Sequence, residues 1–382
     1  MKYAARAVLL VTILSCLSAC SIFSRNKVEQ PRELERFDQQ FSLQRAWSVN
    51  VGNGQGRHYN RLVPAVAGDS VYVAANNGTV VAINKADGRV RWRQRLDETI
   101  TGGTGAGGGM VLIGTRDAQV IALDQQTGNR LWSADVSSEV LAAPQSDGRV
   151  VVAQTIDGRL FAFDPSTGDQ RWVYENTVPA LSLRGTSTPL ITGNTVLAGF
   201  ANGMVAAVDA TNGFLLWEER VAIPQGRYDI ERIIDVDGNL LLAGSAIYMS
   251  SYQGNLMALD VQSGRIVWGM PGSSYNALAR GLGNVYWVDS FGHVFAVQNN
   301  TERTVWENDQ LRLRRLTSPV TINNYVAVAD FEGYLHLISQ LDGRFVSRTR
   351  VDGDGVRADI VVDGGVMYVY GNSGRLVALR LP

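Results

Sequence analysis

The stretch QVIALDQQTGNRLW, residues 119–132, returns forty residues on as RLFAFDPSTGDQRW, residues 159–172. Each copy holds two short strand-like runs separated by a Thr-Gly turn, and each ends on tryptophan. Working outward, the residue that opens each unit is Gly78, Ala118, Gly158, Gly203, Gly254, Gly292, Gly333 or Gly374. Fourteen residues after the first six stand Trp92, Trp132, Trp172, Trp217, Trp268 and Trp306. The seventh unit has Ser347 there, and the eighth would need position 388, beyond the last residue. An unassigned Trp47 sits in LQRAWSVNV, near the other end of the chain. Self-similarity at a fixed period is the mark of a repeat architecture.

The register also runs backwards, so that each unit reads as four strands. In the third unit these are PQSD, VVVAQTI, LFAFD and QRWVYE, broken at turn signals such as Asp157-Gly158 and Thr167-Gly168. Four short antiparallel strands per repeat describe a propeller blade. The expected fold is therefore all-β: an eight-bladed β-propeller of four-stranded antiparallel blades over residues 41–382, its ring closed by the N-terminal strand around Trp47. Glycine after Asp or Asn supplies the positive φ of a tight hairpin. Ala122, Ala162, Ala258, Ala296 and Ala378 recur four residues after the opening position, where a small side chain suits crowded sheets. The tryptophans would fill the gaps between blades, and closure would hide the sheet edges.

The N-terminus, MKYAARAVLLVTILSCLSAC, has Lys2 and Arg6 ahead of an apolar run from Ala7 to Leu14. That is the layout of a secretory signal peptide, residues 1–19, and the run is too short for a membrane span. The closing Leu-Ser-Ala-Cys resembles the bacterial lipobox, which implies that Cys20 is acylated and becomes the first mature residue. Ser21 is not the aspartate that retains lipoproteins in the inner membrane, so the expected location is the periplasmic face of the outer membrane. Removal of Cys16 would leave Cys20 alone, and no disulfide could form. Residues 20–40, polar and mixed in charge, read as a lipidated tether reaching about 65 Å when extended. With 35 basic and 36 acidic residues, the net charge of −1 speaks against nucleic acid as a partner.

The pattern ALDxxTGxxxW resembles the tryptophan-docking repeat of pyrroloquinoline quinone-dependent dehydrogenases, in which it packs blade on blade and does not ligate the quinone. A periplasmic dehydrogenase of that kind is the alternative reading. Such an enzyme would need a Ca²⁺ site and a catalytic aspartate, and in several members a vicinal cysteine pair. The mature chain has no such pair, and neither a cofactor nor a metal site is expected. His58, His293 and His336 lie in different blades without metal-ligand spacing. GGTGAGGG at 102–109 has no accompanying Gly-Lys-Ser or Gly-Lys-Thr and reads as an inner strand with crowded backbones. Asp289, Asp330 and Asp354 read as turn and strand-end residues.

Taken whole, a lipobox start, a tether, eight docking blades and no enzyme site resemble the BamB family of outer-membrane assembly lipoproteins. The most specific local pieces are ALSLRG at 180–185 and RIIDVDG at 232–238. The resemblance implies a non-catalytic subunit of the β-barrel assembly (BAM) machinery that binds the periplasmic POTRA domains of BamA beside the other BAM subunits. Unfolded outer-membrane protein clients are a further partner class to consider. It carries a partner-binding role to Leu181, Leu183, Arg184, Asp235 and Asp237. Spacing adds that Arg184 and Asp235 each stand 19 residues before an opening glycine, which places them side by side in neighbouring blades. Arg184 is then expected either to pair with the nearby aspartates or to reach a carboxylate on the partner.

Overall fold

The structure is a computed structural model that describes residues 29–179 and 181–382. The expected signal peptide, the expected acylation site Cys20 and residues 21–28 of the expected tether lie outside the described residues. Within them, eight four-stranded antiparallel sheets are arranged as blades. Blades one to seven span residues 65–95, 100–135, 145–175, 190–220, 241–271, 279–308 and 320–350, each following chain order from its first strand to its fourth. The first strands of blades one to four, and of blades six, seven, eight and one, touch in succession around the axis. The fourth strands form the rim, where Leu215–Arg220 alternates exposed and half-buried residues. The middle strands carry the core: Val71, Val73, Val81 and Ile83 are wholly buried in blade one. This is the eight-bladed propeller expected from the repeat.

Alternation of strand direction gives the ring two unlike faces. The turns between second and third strands share one face with the connectors that lead from blade to blade; we call it the connector face. The remaining hairpin turns lie on the other. Inner-strand crowding at GGTGAGGG is severe, since a Cβ on Gly105 would stand 1.8 Å from the carbonyl oxygen of Pro144 in the next blade. That segment forms the innermost strand of blade two, Ile100–Gly107.

Each docking tryptophan is set opposite an alanine in its own blade, as in the pairs Ala82↔Trp92, Ala122↔Trp132 and Ala207↔Trp217. A bulge follows each of these alanines and turns the indole toward the next blade. All seven indole N–H groups then donate to a backbone carbonyl there. Trp47 bonds Lys85, Trp92 bonds Gln125, Trp132 bonds Pro165 and Trp172 bonds Ala210, at 2.8–3.1 Å. Trp217, Trp268 and Trp306 reach Val261, Thr301 and Gln340 at 2.8–2.9 Å. The ring face of the indole lies on the glycine of the receiving turn, so a Cβ on Gly128 would come within 2.6 Å of Trp92.

Blade eight takes three strands from residues 361–380 and its fourth from Gln44–Asn50, with Trp47 opposite Ala378. Because its third and fourth strands come from distant parts of the chain, no hairpin joins them. Blade eight therefore has no turn to receive an indole from blade seven. Ser347 stands where that indole would be, opposite Leu337 in place of the usual alanine.

The seam is filled by a segment expected to be tether. Residues 29–43 run along blade seven from the connector face to the opposite one. Ser347 Oγ and the Arg348 amide both donate to Gln39 Oε1, at 3.2 and 3.0 Å, and the Gln40 amide donates to the Val346 carbonyl. Phe37 stacks on Phe345 with centroids 5.5 Å apart, and Phe41 meets Tyr325 edge-on. Leu34 packs into the core shared by blades six and seven. The apolar residues Leu34, Phe37 and Phe41, set among polar ones, are the physical reason that residues 29–40 adhere to the ring.

Candidate functional site

The two longest connectors after the docking repeats begin, 176–189 and 221–240, stand on the connector face between blades three and five. They are tied together at two points. The Leu183 amide donates to Asp235 Oδ2 at 3.2 Å, and Gly185 lies so close to Asp237 that a Cβ there would be 2.6 Å from its carboxylate. Leu183, Asp235 and Asp237 are thus brought together, where the spacing implied Arg184 beside Asp235. Arg184 is not: it makes a two-pronged ion pair with Glu139, at 2.9 and 2.8 Å, in the connector between blades two and three. The expected pairing of Arg184 with the aspartates is corrected: Glu139, its side chain largely buried, takes the guanidinium instead.

The five residues therefore divide by exposure. Asp235 is buried and Asp237 half-buried, so both act within the loops. Burial, followed by the charge of Asp237, raises the Asp235 carboxyl far above the usual carboxylate range. Burial raises Asp237 as well, with Arg61 opposing. Both carboxyls are thus pushed toward the neutral form, Asp235 the more strongly. Leu183 is half-buried, whereas Leu181 is 50% exposed. The second connector also presents Ile223, Tyr228 and Ile230, all more than 60% exposed. A short 3-10 turn at Asp229–Arg232 carries Ile230 outward, held by the Glu231 carboxylate accepting from the Arg227 and Tyr228 amides. Sequence reasoning missed these three; the 51 residues separating Gly203 from Gly254, a longer interval than elsewhere, were the available signal.

Beside the loops, a cavity of about 580 Å³ opens at the ring axis, with Asp237, Arg61, Tyr59, Tyr275, Thr104 and Asp359 in its wall. Arg61 crosses it, its guanidinium 5.4 Å from the Tyr275 ring centre and 3.3 Å from Asn276 Oδ1. Among the described residues no group of three or more His, Cys, Asp or Glu is placed to hold a metal. Asp289 accepts turn amides from Phe291 and His293, as its sequence position suggests. Asp330 does likewise for Glu332 and Tyr334, but it also anchors a buried network. Its Oδ2 lies 2.8 Å from Arg314 Nε and 2.9 Å from His336 Nε2, while Arg348 Nε donates to His336 Nδ1 at 3.0 Å.

Fold and loops together define a tryptophan-docked propeller with a two-connector surface beside its axial opening. A family model described as outer membrane protein assembly factor BamB matches residues 36–102, 95–308 and 290–380. The BamB of Pseudomonas aeruginosa is 53% identical over 380 residues, covering 100% of this chain and 99% of that one. The Escherichia coli BamB is 36% identical, covering 98% and 99%. The crystal structure of BamB from Moraxella catarrhalis superposes with a TM-score of 0.82 at 30% identity, over 89% of this chain and 100% of the other. The chain belongs to the BamB family. A quinohemoprotein alcohol dehydrogenase from Comamonas testosteroni also superposes, with a TM-score of 0.72 over 89% of this chain and 78% of that one. At 15% identity, that likeness shows the fold alone.

Proposed function

We propose that the chain is a non-catalytic scaffold lipoprotein of the outer-membrane β-barrel assembly machinery, acylated at Cys20, held at the periplasmic face of the outer membrane and bound to BamA POTRA domains. The observation that carries the partner reading is the pair of cross-tied connectors between blades three and five. Asp235 and the Arg184–Glu139 pair fix the loop backbones, with Asp237 packed against Gly185, leaving Leu181 and Ile230 exposed on a braced base. A rigid apolar projection loses little entropy on docking and makes an efficient anchor. Leu183, Arg184, Asp235 and Asp237 then serve binding by positioning, and Leu181 by contact.

The test pairs Leu181→Ala with Ile230→Ala and measures affinity for the POTRA segment of BamA beside thermal stability. Each anchor of about 2 kcal/mol predicts a loss of roughly thirtyfold, and the two together a loss approaching a thousandfold, at unchanged Tm. Normal affinity would remove this surface from the interface. Affinity lost only in parallel with stability would mean that the residues pack their own loops.

A further inference from the structure

From the path of the N-terminal segment we infer that one edge of the connector face, formed by Tyr59, Phe291, Phe331, Arg57 and Arg315, rests on the phospholipid headgroups of the leaflet that holds the anchor. The inference rests on the acylation of Cys20 proposed above. Its first support is where the chain leaves the ring. Arg312 pairs with Glu29 and with its carbonyl accepts from the Arg32 amide at 3.0 Å, while Arg32 pairs with Asp309 at 3.1 Å. Arg314 Nη1 donates to the Arg32 carbonyl at 3.0 Å. The exit is therefore pinned to the connector face, where Glu29 and Pro31 share a groove with Tyr59 and Arg315. Only nine residue steps then separate Glu29 from Cys20, a reach of about 30 Å at most. A ring held so near a bilayer meets it at high effective concentration, and a weak contact is enough to orient it.

The second support is the chemistry of that edge. Just before the residue that opens the turn between second and third strands, a glycine or in blade two Ala118, blades one to four carry Asn77, Asp117, Asp157 and Asn202, residues that suit a tight turn. Blade six carries Phe291 at this place and blade seven carries Phe331 one residue earlier, 53% and 37% exposed. Turn geometry gives no reason for either. Arg312 lies 5.9 Å from the ring centre of Phe291, and Arg314 lies 5.2 Å from that of Phe331. Tyr59, 51% exposed, stands between Arg61 and Arg357. The carboxylates of Glu29, Asp309 and Glu332 are already paired with Arg312, Arg32 and Arg314. Arg57 and Arg315, both exposed, and Arg357 beside Tyr59 have no ion pair among the described residues, against one exposed carboxylate likewise without an ion pair there, Asp354 near Phe331, so the edge carries an excess of positive charge. Exposed aromatics flanked by unpaired arginines suit the headgroup layer, where rings sit at the interface and guanidinium groups bind phosphate. This edge lies across the axis from Leu181 and Ile230, so both surfaces can be occupied at once.

The full lipidated protein, inserted in vesicles of phosphatidylethanolamine and phosphatidylglycerol containing headgroup spin-labelled lipid, provides the test. A fluorophore is placed on His58→Cys at the edge, on Leu181→Cys across the axis, or on Leu341→Cys at the opposite face. Quenching several times stronger at position 58 than at the other two is expected. Arg57→Gln with Arg315→Gln should lower the docked-to-free ratio on the order of tenfold while Tm stays constant. Mass spectrometry of the N-terminal peptide from the same samples reports acylation. An unacylated Cys20 overturns the anchor and the edge contact together; an acylated Cys20 with equal quenching at all three sites overturns the edge contact alone.

Discussion

A single glycine shows how closely the repeat letters depend on one another. Gly128 has φ +76, and its missing side chain leaves room for Trp92, 2.6 Å from where a Cβ would be. Gly193 has a similar φ of +57 with nothing nearby. Gly193→Ala therefore carries backbone strain alone, about 1 kcal/mol, whereas Gly128→Ala adds displacement of an indole and should cost at least about 2 kcal/mol more. Denaturant titration of both variants checks the difference. The coupling explains why blade seven changed two letters together, Trp to Ser347 and Ala to Leu337. Titration supplies a second prediction at this scale. The folded-state pKa of Asp235 is raised by burial and by Asp237, so the folded chain binds a proton more readily than the unfolded chain. This group then adds stability as pH falls from neutral toward about 4, the ordinary aspartate value. Asp235→Asn should remove that gain, seen as a flatter Tm profile between pH 7 and 4 than in the wild type.

At the scale of elements, the segment 29–43 and blade seven form a unit. Phe37, Gln39 and Phe41 cover the seam that lacks an indole. Phe37→Ala with Gln39→Ala should lower stability by about 2–4 kcal/mol, from lost aromatic packing and unsatisfied polar groups, and should speed proteolysis before residue 41. His336 lies beneath this segment, facing Asp330, Arg314 and Arg348; the last also donates to the Glu35 carbonyl at 2.8 Å. With Nδ1 accepting from Arg348, the ring is neutral, its pKa lowered chiefly by burial, with Asp330 opposing and the two arginines reinforcing. A depressed histidine pKa gives stability that is complete above the ordinary value of about 6.5 and declines below it. His336→Gln should abolish this part of the acid slope, opposite in sign to the Asp235 effect. Much of the blade architecture was legible because its determinants are local and periodic. The clasp was not: its partners lie some 300 residues apart, as with Arg348 and Gln39, and the segment is mostly polar. The Arg184–Glu139 pair, by contrast, stood within reach of the repeat: Glu139 is 19 residues before Gly158 as Arg184 is before Gly203 and Asp235 before Gly254, so the same count that set Arg184 beside Asp235 also sets it beside Glu139 in the preceding connector.

For the molecule as a whole, the strand Gln44–Asn50 is both the last piece of blade eight and the end of the clasp. Removing residues 44–50 should bare the edge of Arg375–Arg380, and the protein should associate through it; a monomer by size-exclusion chromatography with unchanged Tm would contradict the closure. Ring completion has a further consequence in time. Val51 accepts from the Tyr370 hydroxyl across 319 positions of sequence, and Trp47 pairs with a strand that is synthesised after all seven other blades. Each of those blades can form from neighbouring segments as it emerges, but the first strand made must wait, unpaired, for the last. Closing so long a loop is slow relative to local pairing. The nascent chain therefore passes through an open arc with two bare sheet edges, and its most aggregation-prone moment falls just before synthesis ends.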